Sequence, residues 1–224
     1  MDNKLVLMEG INKSFPGVRA LNHCHFDVDR GEVHALVGEN GAGKSTLMKI
    51  LAGIYKRDSG TIFYDGREVN FTSPKEALDA GIGIIHQELN LMPHLTVGEN
   101  IFIGKEFTKG ILIDQNAIYR KSEELLKSLN LDIDPRARVM DLAVAKQQMV
   151  EIAKALSYDS KLIIMDEPTS SLTESEIEEL FGFIKDLKAK NRAVVYISHR
   201  MDEVFAISDR ITVMRDGEYV GTFN

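Results

Sequence analysis

An eight-residue glycine-rich segment restricts the folds open to this chain more than any other feature. It matches the pattern G-x-x-x-x-G-K-[ST] and reads Gly38-Glu39-Asn40-Gly41-Ala42-Gly43-Lys44-Ser45. A buried-strand pattern, Val33–Val37, precedes it, and residues 45–54 follow with apolar side chains at helical spacing. Glycines let backbone N–H groups close around phosphates, and the following helix directs the positive end of its dipole there. The pattern predicts a triphosphate site; the alternative is a flexible turn that happens to contain three glycines.

Metal-binding and catalytic groups are predicted at two places. Lys44 is expected to reach the β- and γ-phosphates, and the Ser45 hydroxyl to help hold Mg²⁺. A second apolar segment, residues 162–165, ends in Asp166 and Glu167. Because ligands gather at the carboxyl ends of parallel strands, we expect Asp166 to hold Mg²⁺, directly or through water, and Glu167 to be the general base that orients the attacking water. Alone, two acids after a strand are more typical of a solvated helix start; the glycine-rich segment and Pro168 favour the catalytic interpretation.

The rest of the chain reads as strands alternating with helices. Strand patterns occur at residues 5–8, 61–64, 68–71, 194–197, 211–214 and 218–220, with the turn dipeptides Asp65-Gly66 and Asp216-Gly217 predicting hairpins. Residues 175–190 form a helical stretch, and residues 96–157 are mostly helical in pattern, most clearly at 122–129 and 147–156. This order predicts an α/β core with a helical insertion.

Composition excludes several classes of protein. A 224-residue chain that is 44% hydrophobic suffices for one substantial core, and its net charge of -7 argues against a generally basic, nucleic-acid-binding surface. The single cysteine, Cys24, allows no internal disulfide and fits a reducing compartment. We expect neither a signal sequence nor a membrane span, because no apolar stretch approaches about 18 residues.

In combination, these motifs resemble the ATP-binding-cassette (ABC) ATPases, in the expected order and over essentially the whole chain. The resemblance implies a P-loop NTPase core with an N-terminal antiparallel β subdomain and an inserted helical subdomain. It assigns residues 1–88 and 158–224 to the nucleotide-binding part, and residues 89–157 to the helical subdomain, which carries the signature loop.

The resemblance also implies roles for residues that the motifs alone leave ambiguous. His199 resembles the switch histidine that contacts the γ-phosphate, although a lone histidine after a strand is more often structural. Gln87 resembles the glutamine that senses metal and water, and Phe15 the aromatic that stacks on adenine, although a lone Phe near a turn usually serves packing. The implied catalytic residues are Glu167, His199, Lys44 and Gln87. The implied metal ligands are Ser45, Gln87 and Asp166, and the implied ATP contacts are Phe15, Gly38, Glu39, Asn40, Gly41, Ala42, Gly43, Lys44, Ser45 and Thr46.

Three further segments resemble the ATPases of monosaccharide importers. They are Phe15-Pro16-Gly17-Val18, His86-Gln87-Glu88-Leu89 and Tyr196-Ile197-Ser198-His199-Arg200-Met201. Members of that subfamily carry two cassettes in one polypeptide, and this chain is similar to the first. The resemblance implies import of a sugar powered by Mg-ATP, with a second cassette in a head-to-tail dimer, membrane permease subunits and, indirectly, a sugar-binding protein as partners. It places the chain at the cytoplasmic face of the membrane, as a peripheral subunit.

The signature loop departs from the family pattern Leu-Ser-Gly-Gly-Gln. Here the segment reads Leu142-Ala143-Val144-Ala145-Lys146. Losing a hydroxyl that hydrogen-bonds a charged group, worth roughly 1.5–3 kcal/mol, predicts a weakened ATP site in the opposite cassette. The alternative, that such ATPases tolerate loose signatures without consequence, stays open.

Two other functions compete with transport. A soluble ABC ATPase in translation or DNA repair would carry coiled coils or zinc hooks, and the sequence shows neither a heptad run nor paired cysteines. A regulatory module without hydrolysis is disfavoured because Glu167 and His199 are both present. Closure of the dimer is expected to move the segment after Gln87, including Leu91-Met92-Pro93, against a membrane partner, unless those residues are simply buried.

Overall fold

A computed structural model describes residues 3–85, 90–110, 112–170 and 172–224. The strands are β1 Lys4–Phe15, β2 Val18–Asp29, β3 Val33–Val37, β4 Ser59–Tyr64, β5 Arg67–Glu68, β6 Ile82–Ile85, β7 Thr108–Lys109, β8 Leu112–Ile113, β9 Leu162–Asp166, β10 Ala193–Ile197, β11 Arg210–Arg215 and β12 Glu218–Phe223. The α-helices are α1 Lys44–Leu51, α2 Pro74–Asp79, α3 Val97–Ile101, α4 Gln115–Ser128, α5 Val144–Leu156, α6 Glu174–Ala189 and α7 Met201–Ile207. A 3₁₀ turn spans Val139–Asp141.

The centre of the molecule is a six-stranded sheet in the order β12-β11-β3-β10-β9-β6. Its five strands from β11 to β6 are parallel, and β12 closes one edge as an antiparallel hairpin with β11. Strands β3 and β10 are buried at every position, so the short apolar runs in the sequence belong to strands covered on both faces. The predicted α/β core is therefore confirmed.

A second, four-stranded antiparallel sheet has the order β2-β1-β4-β5. At its β4–β5 turn, Asp65 and Gly66 have φ values of 52° and 75°, the left-handed backbone that a two-residue hairpin requires. The predicted hairpin and the N-terminal antiparallel β subdomain are both present. The sequence patterns missed the full length of β1 and all of β2, because register shifts along their pairing interrupt the simple alternation.

The middle of the chain is mainly helical, as predicted. Helix α4 begins seven residues before the predicted residue 122, because Asp114 accepts a hydrogen bond from the Ala117 N–H at 3.0 Å and so caps an earlier start. A Thr96–Glu99 capping box begins α3. A short hairpin, β7–β8, interrupts the segment and was not predicted, since strands of two residues carry no periodicity.

Two large hydrophobic clusters cover the faces of the central sheet. Val195 and Ile197 face one cluster, while Val194 and Tyr196 face the other, as the two-residue period of a strand requires. The second cluster continues from the sheet into α3, α4 and α5. The helical segment thus shares a core with the sheet, and its boundaries at 89 and 157 stay a prediction.

Helix α1 ends at Leu51, three residues before the predicted residue 54. Gly53, with φ 70°, ends it, and its N–H bonds to the Ile50 carbonyl at 3.1 Å.

Of the apolar segment 91–93, Leu91 is buried whereas Met92 is 54% exposed, so neither the exposed nor the buried interpretation holds for the whole segment. Across the described residues, we find no helix with the length and apolar character needed to traverse a bilayer.

Candidate functional site

The site forms where three parallel strands end side by side. The register pairs Leu36 of β3 with Ile197 of β10, and Ile197 with Asp166 of β9. The glycine-rich segment, the acidic pair and the segment with His199 therefore leave the sheet at the same edge. Sequence spacing cannot show this convergence, because it depends on the strand order.

The glycine-rich segment turns tightly into α1. Gly43 is the residue before the helix and has φ 96°, and a Cβ atom there would lie 2.7 Å from the Ala20 carbonyl oxygen. Gly41 also has a left-handed backbone, φ 87°, but faces open space. Gly43 is thus required by both conformation and space, and Gly41 by conformation alone.

Lys44 is buried within this segment. Its Nζ atom donates hydrogen bonds to the carbonyls of Gly38 at 2.7 Å and Glu39 at 3.0 Å. Burial lowers the pKa of Lys44, and the negative charges of Glu167 and Asp166 oppose that shift. The ammonium group therefore lies in a partly desolvated place that favours an anionic neighbour.

A cavity of about 640 Å³ joins the predicted site residues. Phe15, the two acids Asp166 and Glu167, and the run from Asn40 to Thr46 all line it. Gly38 and Glu39 contribute through their carbonyls to Lys44 rather than to the wall. The volume falls in the range of small-molecule and cofactor sites.

The sequence patterns missed three residues of the cavity wall: Val18, Arg19 and Ala20. They begin β2, directly after the turn that follows Phe15, and Phe15 pairs with Val18 across the hairpin. The Pro16-Gly17 dipeptide was the signal that could have located this turn. Phe15 itself packs edge-on against Tyr55 with ring centroids 5.3 Å apart, so it serves both hairpin packing and the cavity wall.

Glu167 and His199 meet at the rim. Glu167 has φ 49°, and its backbone N–H bonds to the Ile197 carbonyl at 2.9 Å. Its Oε1 atom lies 3.1 Å from Nδ1 of His199, whose side chain is 63% exposed. His199 is not part of the cavity wall. Gln87 and the other residues of the segment 86–89 lie outside the described residues, as does Ser171 after the acidic pair.

The donor groups present suit Mg²⁺ bound together with phosphate. The Ser45 hydroxyl and the Asp166 carboxylate line the same cavity, and both are hard oxygen ligands. Within the described ranges, no group of three or more His, Cys, Asp or Glu side chains is placed to hold a metal ion alone. A site with one carboxylate and one hydroxyl relies on phosphate oxygens and water for its remaining ligands, which is the usual arrangement for Mg²⁺.

The signature segment starts α5. Ala143 is the residue before the helix and offers no side-chain hydrogen bond to it, Val144 is 40% exposed, and Ala145 is buried. The Glu176 carboxylate of α6 accepts hydrogen bonds from the Thr173 N–H at 2.8 Å and the Thr173 hydroxyl at 2.9 Å, and these bonds lower the pKa of Glu176.

The arrangement described above is matched by a family of known proteins. Residues 21–170 match the model of the ABC transporter family. The chain belongs to this family. Solved ABC cassettes share its fold: a nucleotide-free ATP-binding cassette of an ABC transporter superposes with a TM-score of 0.87 at 27% identity, over 98% of this chain and 90% of that one.

Other relatives of this chain are named as ATP-binding proteins for import of ribose, galactose or methyl galactoside. A putative ribose/galactose/methyl galactoside import ATP-binding protein from Burkholderia lata is 60% identical over 97% of the domain, and a galactose/methyl galactoside import ATP-binding protein from Escherichia coli is 53% identical over the same share. This chain spans only 43% of the length of each of these two proteins. A dimeric ATP-binding cassette in a post-hydrolysis state, bound to ADP and Pi, superposes with a TM-score of 0.82 at 25% identity over 98% of both chains.

Proposed function

We propose that the ABC domain binds and hydrolyses Mg-ATP to power import of a monosaccharide through a membrane permease. One observation carries the catalytic part: a single cavity brings the glycine-rich segment and Lys44 together with Asp166 and Glu167, and Glu167 meets His199 at its rim. The names of relatives that are 53–60% identical support the sugar-import part.

The chain's own groups suggest a division of labour in hydrolysis. Lys44 exchanges its two carbonyl partners for phosphate oxygens and counters the charge that develops on them. Phe15, which lines the same cavity, offers its ring to adenine. Glu167 orients water at the γ-phosphorus and accepts its proton, while His199 holds the Glu167 carboxylate and the γ-phosphate in place.

Ser45 and Asp166 would hold Mg²⁺, with Gln87 as a further proposed ligand. When bound, Mg²⁺ offsets negative charge on the phosphates and makes the γ-phosphorus more open to attack. Both described side chains line the nucleotide cavity, which supports this assignment.

The proposed partners follow from the proposed role in ATP-driven sugar import. A second cassette would complete the site head to tail, and the dimeric, ADP- and Pi-bound cassette with the same fold supports such pairing. Permease subunits would receive the movement at the cytoplasmic face of the membrane, and a sugar-binding protein would act indirectly through them. The net charge of -7 argues against nucleic acid as a partner.

The test combines binding, hydrolysis and transport. Calorimetric titration of the 224-residue chain with ATP and Mg²⁺ is expected to show one site, and Lys44→Ala is expected to weaken it at least about tenfold. The protein, reconstituted with a sugar permease in vesicles, should then couple ATP hydrolysis to sugar uptake. Binding of ATP without any dependence of transport on it would favour the alternative, a soluble ABC ATPase of a non-transport type.

A further inference from the structure

One buried carboxylate, Glu203 of α7, joins several elements behind the proposed site. The residue is only 4% exposed. Its Oε2 atom accepts hydrogen bonds from the Thr169 hydroxyl at 2.7 Å and the Tyr196 hydroxyl at 2.8 Å. Burial and the bond to Glu203 raise the pKa of Tyr196 far above its usual range, so the phenol keeps its proton and donates.

The same carboxylate contacts both neighbours of His199. The Ser198 hydroxyl donates to Oε2 of Glu203 at 3.3 Å, and a guanidinium nitrogen of Arg200 lies 2.5 Å from Oε1. The Ser198 oxygen also accepts the Arg200 N–H at 3.0 Å, which closes a small turn around His199. The histidine therefore projects from a turn that is fixed on both sides.

Thr169 extends the connection to the acidic pair, since it follows Glu167 by two residues. The backbone of Glu167 has a left-handed conformation, which is strained for a residue with a Cβ atom and persists only when its surroundings hold it. The bonds that restrain this loop run from Glu167 N–H to the Ile197 carbonyl and from Thr169 to Glu203. A Gln148 amide of α5 also donates to the Pro168 carbonyl.

We propose that Glu203 is a positioning residue for ATP hydrolysis, holding the loop that carries Glu167 against the turn that carries His199. The inference rests on the proposed function above. Stability alone does not explain a carboxylate at this place, because apolar residues in a buried site are often as stable or more so. A group that accepts from two loops at once, by contrast, fixes the distance between them.

The first test compares two neutralising substitutions at adjacent positions of α7. Glu203→Gln places an amide N–H group against the Arg200 guanidinium and so removes the contact between position 203 and the turn that carries His199. Asp202→Asn changes an exposed side chain. We expect Glu203→Gln to lower kcat for Mg-ATP about tenfold, with KM and ATP affinity within about twofold of the original, and Asp202→Asn to leave all three unchanged. Equal kcat values for the two variants, or a loss confined to KM, would overturn the proposal.

A second test removes the hydrogen bond between Thr169 and Glu203 and measures the ¹⁵N chemical shift of the His199 ring. Thr169→Val removes the hydroxyl and is expected to lower kcat similarly, while Thr169→Ser restores it. The ¹⁵N chemical shift of the His199 ring should move in Glu203→Gln and Thr169→Val toward the value seen in Glu167→Gln, where the contact is altered directly. An unchanged ¹⁵N shift in both variants would contradict the positioning role of Glu203, whether or not the wild-type chain hydrolyses ATP. Absence of hydrolysis by the wild-type chain would refute the proposed function instead.

Discussion

Nδ1 of His199 lies 3.1 Å from Oε1 of Glu167, although 32 residues separate them in the chain. The contact exists because β9 and β10 are parallel neighbours whose last residues, Asp166 and Ile197, are paired in register. A carboxylate and an imidazole at this distance can share a proton and hold each other's orientation. The pair is the part of the proposed site most open to direct test.

Glu167→Gln is expected to retain ATP binding and lose at least about a hundredfold in hydrolysis rate, because the amide cannot accept the proton of the attacking water. ATP should then accumulate in a stable pair of cassettes. Light scattering with and without Mg-ATP measures the pairing, and phosphate release measures turnover. Persistence of full hydrolysis would refute the assignment of Glu167 as general base.

Gly43→Ala should damage the nucleotide site more than Gly41→Ala. Both glycines have positive φ, which costs an alanine about 1–2 kcal/mol, but only at position 43 does a Cβ atom meet backbone, 2.7 Å from the Ala20 carbonyl oxygen. We expect ATP affinity to fall by more than about tenfold for Gly43→Ala and by less for Gly41→Ala. Titration calorimetry gives both values, and equal losses would show that conformation alone, without the close contact, sets the requirement.

Ala143→Ser is expected to stabilise the folded chain. Ala143 precedes the first turn of α5 without a side-chain hydrogen bond, and a serine hydroxyl at such a position accepts from a helix N–H, typically worth about 1 kcal/mol. Chemical unfolding measures the gain. Ala145→Ser is the matched control, since it buries a hydroxyl at a residue that is 3% exposed and should destabilise.

The same substitution decides between the two interpretations of the signature segment. If the missing hydroxyl weakens the opposite ATP site, Ala143→Ser in the full-length transporter should raise turnover by about tenfold or more. An unchanged turnover alongside the expected gain in stability would favour tolerance of the loose signature.

Glu151→Gln should remove part of the pH dependence of stability. Glu151 is buried, its Oε1 accepts the Asn90 N–H at 2.8 Å, and its Oε2 has no hydrogen-bond partner in the described structure. Burial raises the pKa of Glu151, against smaller opposing effects of Asn90 and Lys154. Between the unfolded and folded pKa values the native state binds more protons, so stability falls as pH rises through that window.

Urea unfolding of the Glu151→Gln variant at a series of pH values above about 4 should therefore show a smaller decline than that of the original chain. Glu178→Gln, at an exposed position of α6, is the control and should leave the slope unchanged. Identical slopes for Glu151→Gln and the original chain would contradict the raised pKa.

Local patterns predicted the elements that carry the strongest signals. The strand Val33–Val37 has the predicted bounds, and the Asp65-Gly66 and Asp216-Gly217 hairpins are present. Each depends on interactions between residues a few positions apart: apolar runs, turn residues and the glycine-rich approach to a helix. The start of α4 and the strand β2 were missed because a cap and a series of register shifts override periodicity there.

The sequence by itself determined the chemical groups of the proposed site, since the glycine-rich segment, Asp166, Glu167 and the family resemblance are properties of adjacent residues. Only the tertiary structure decided which of these groups meet. Strand order in the central sheet joins three chain segments at one edge and gathers Thr169, Tyr196 and Ser198 around Glu203. The packing of β2, in the antiparallel sheet, adds Val18, Arg19 and Ala20 to the cavity wall. Such contacts arise from packing between residues far apart in the chain, and a local pattern carries no record of the distance between two loops.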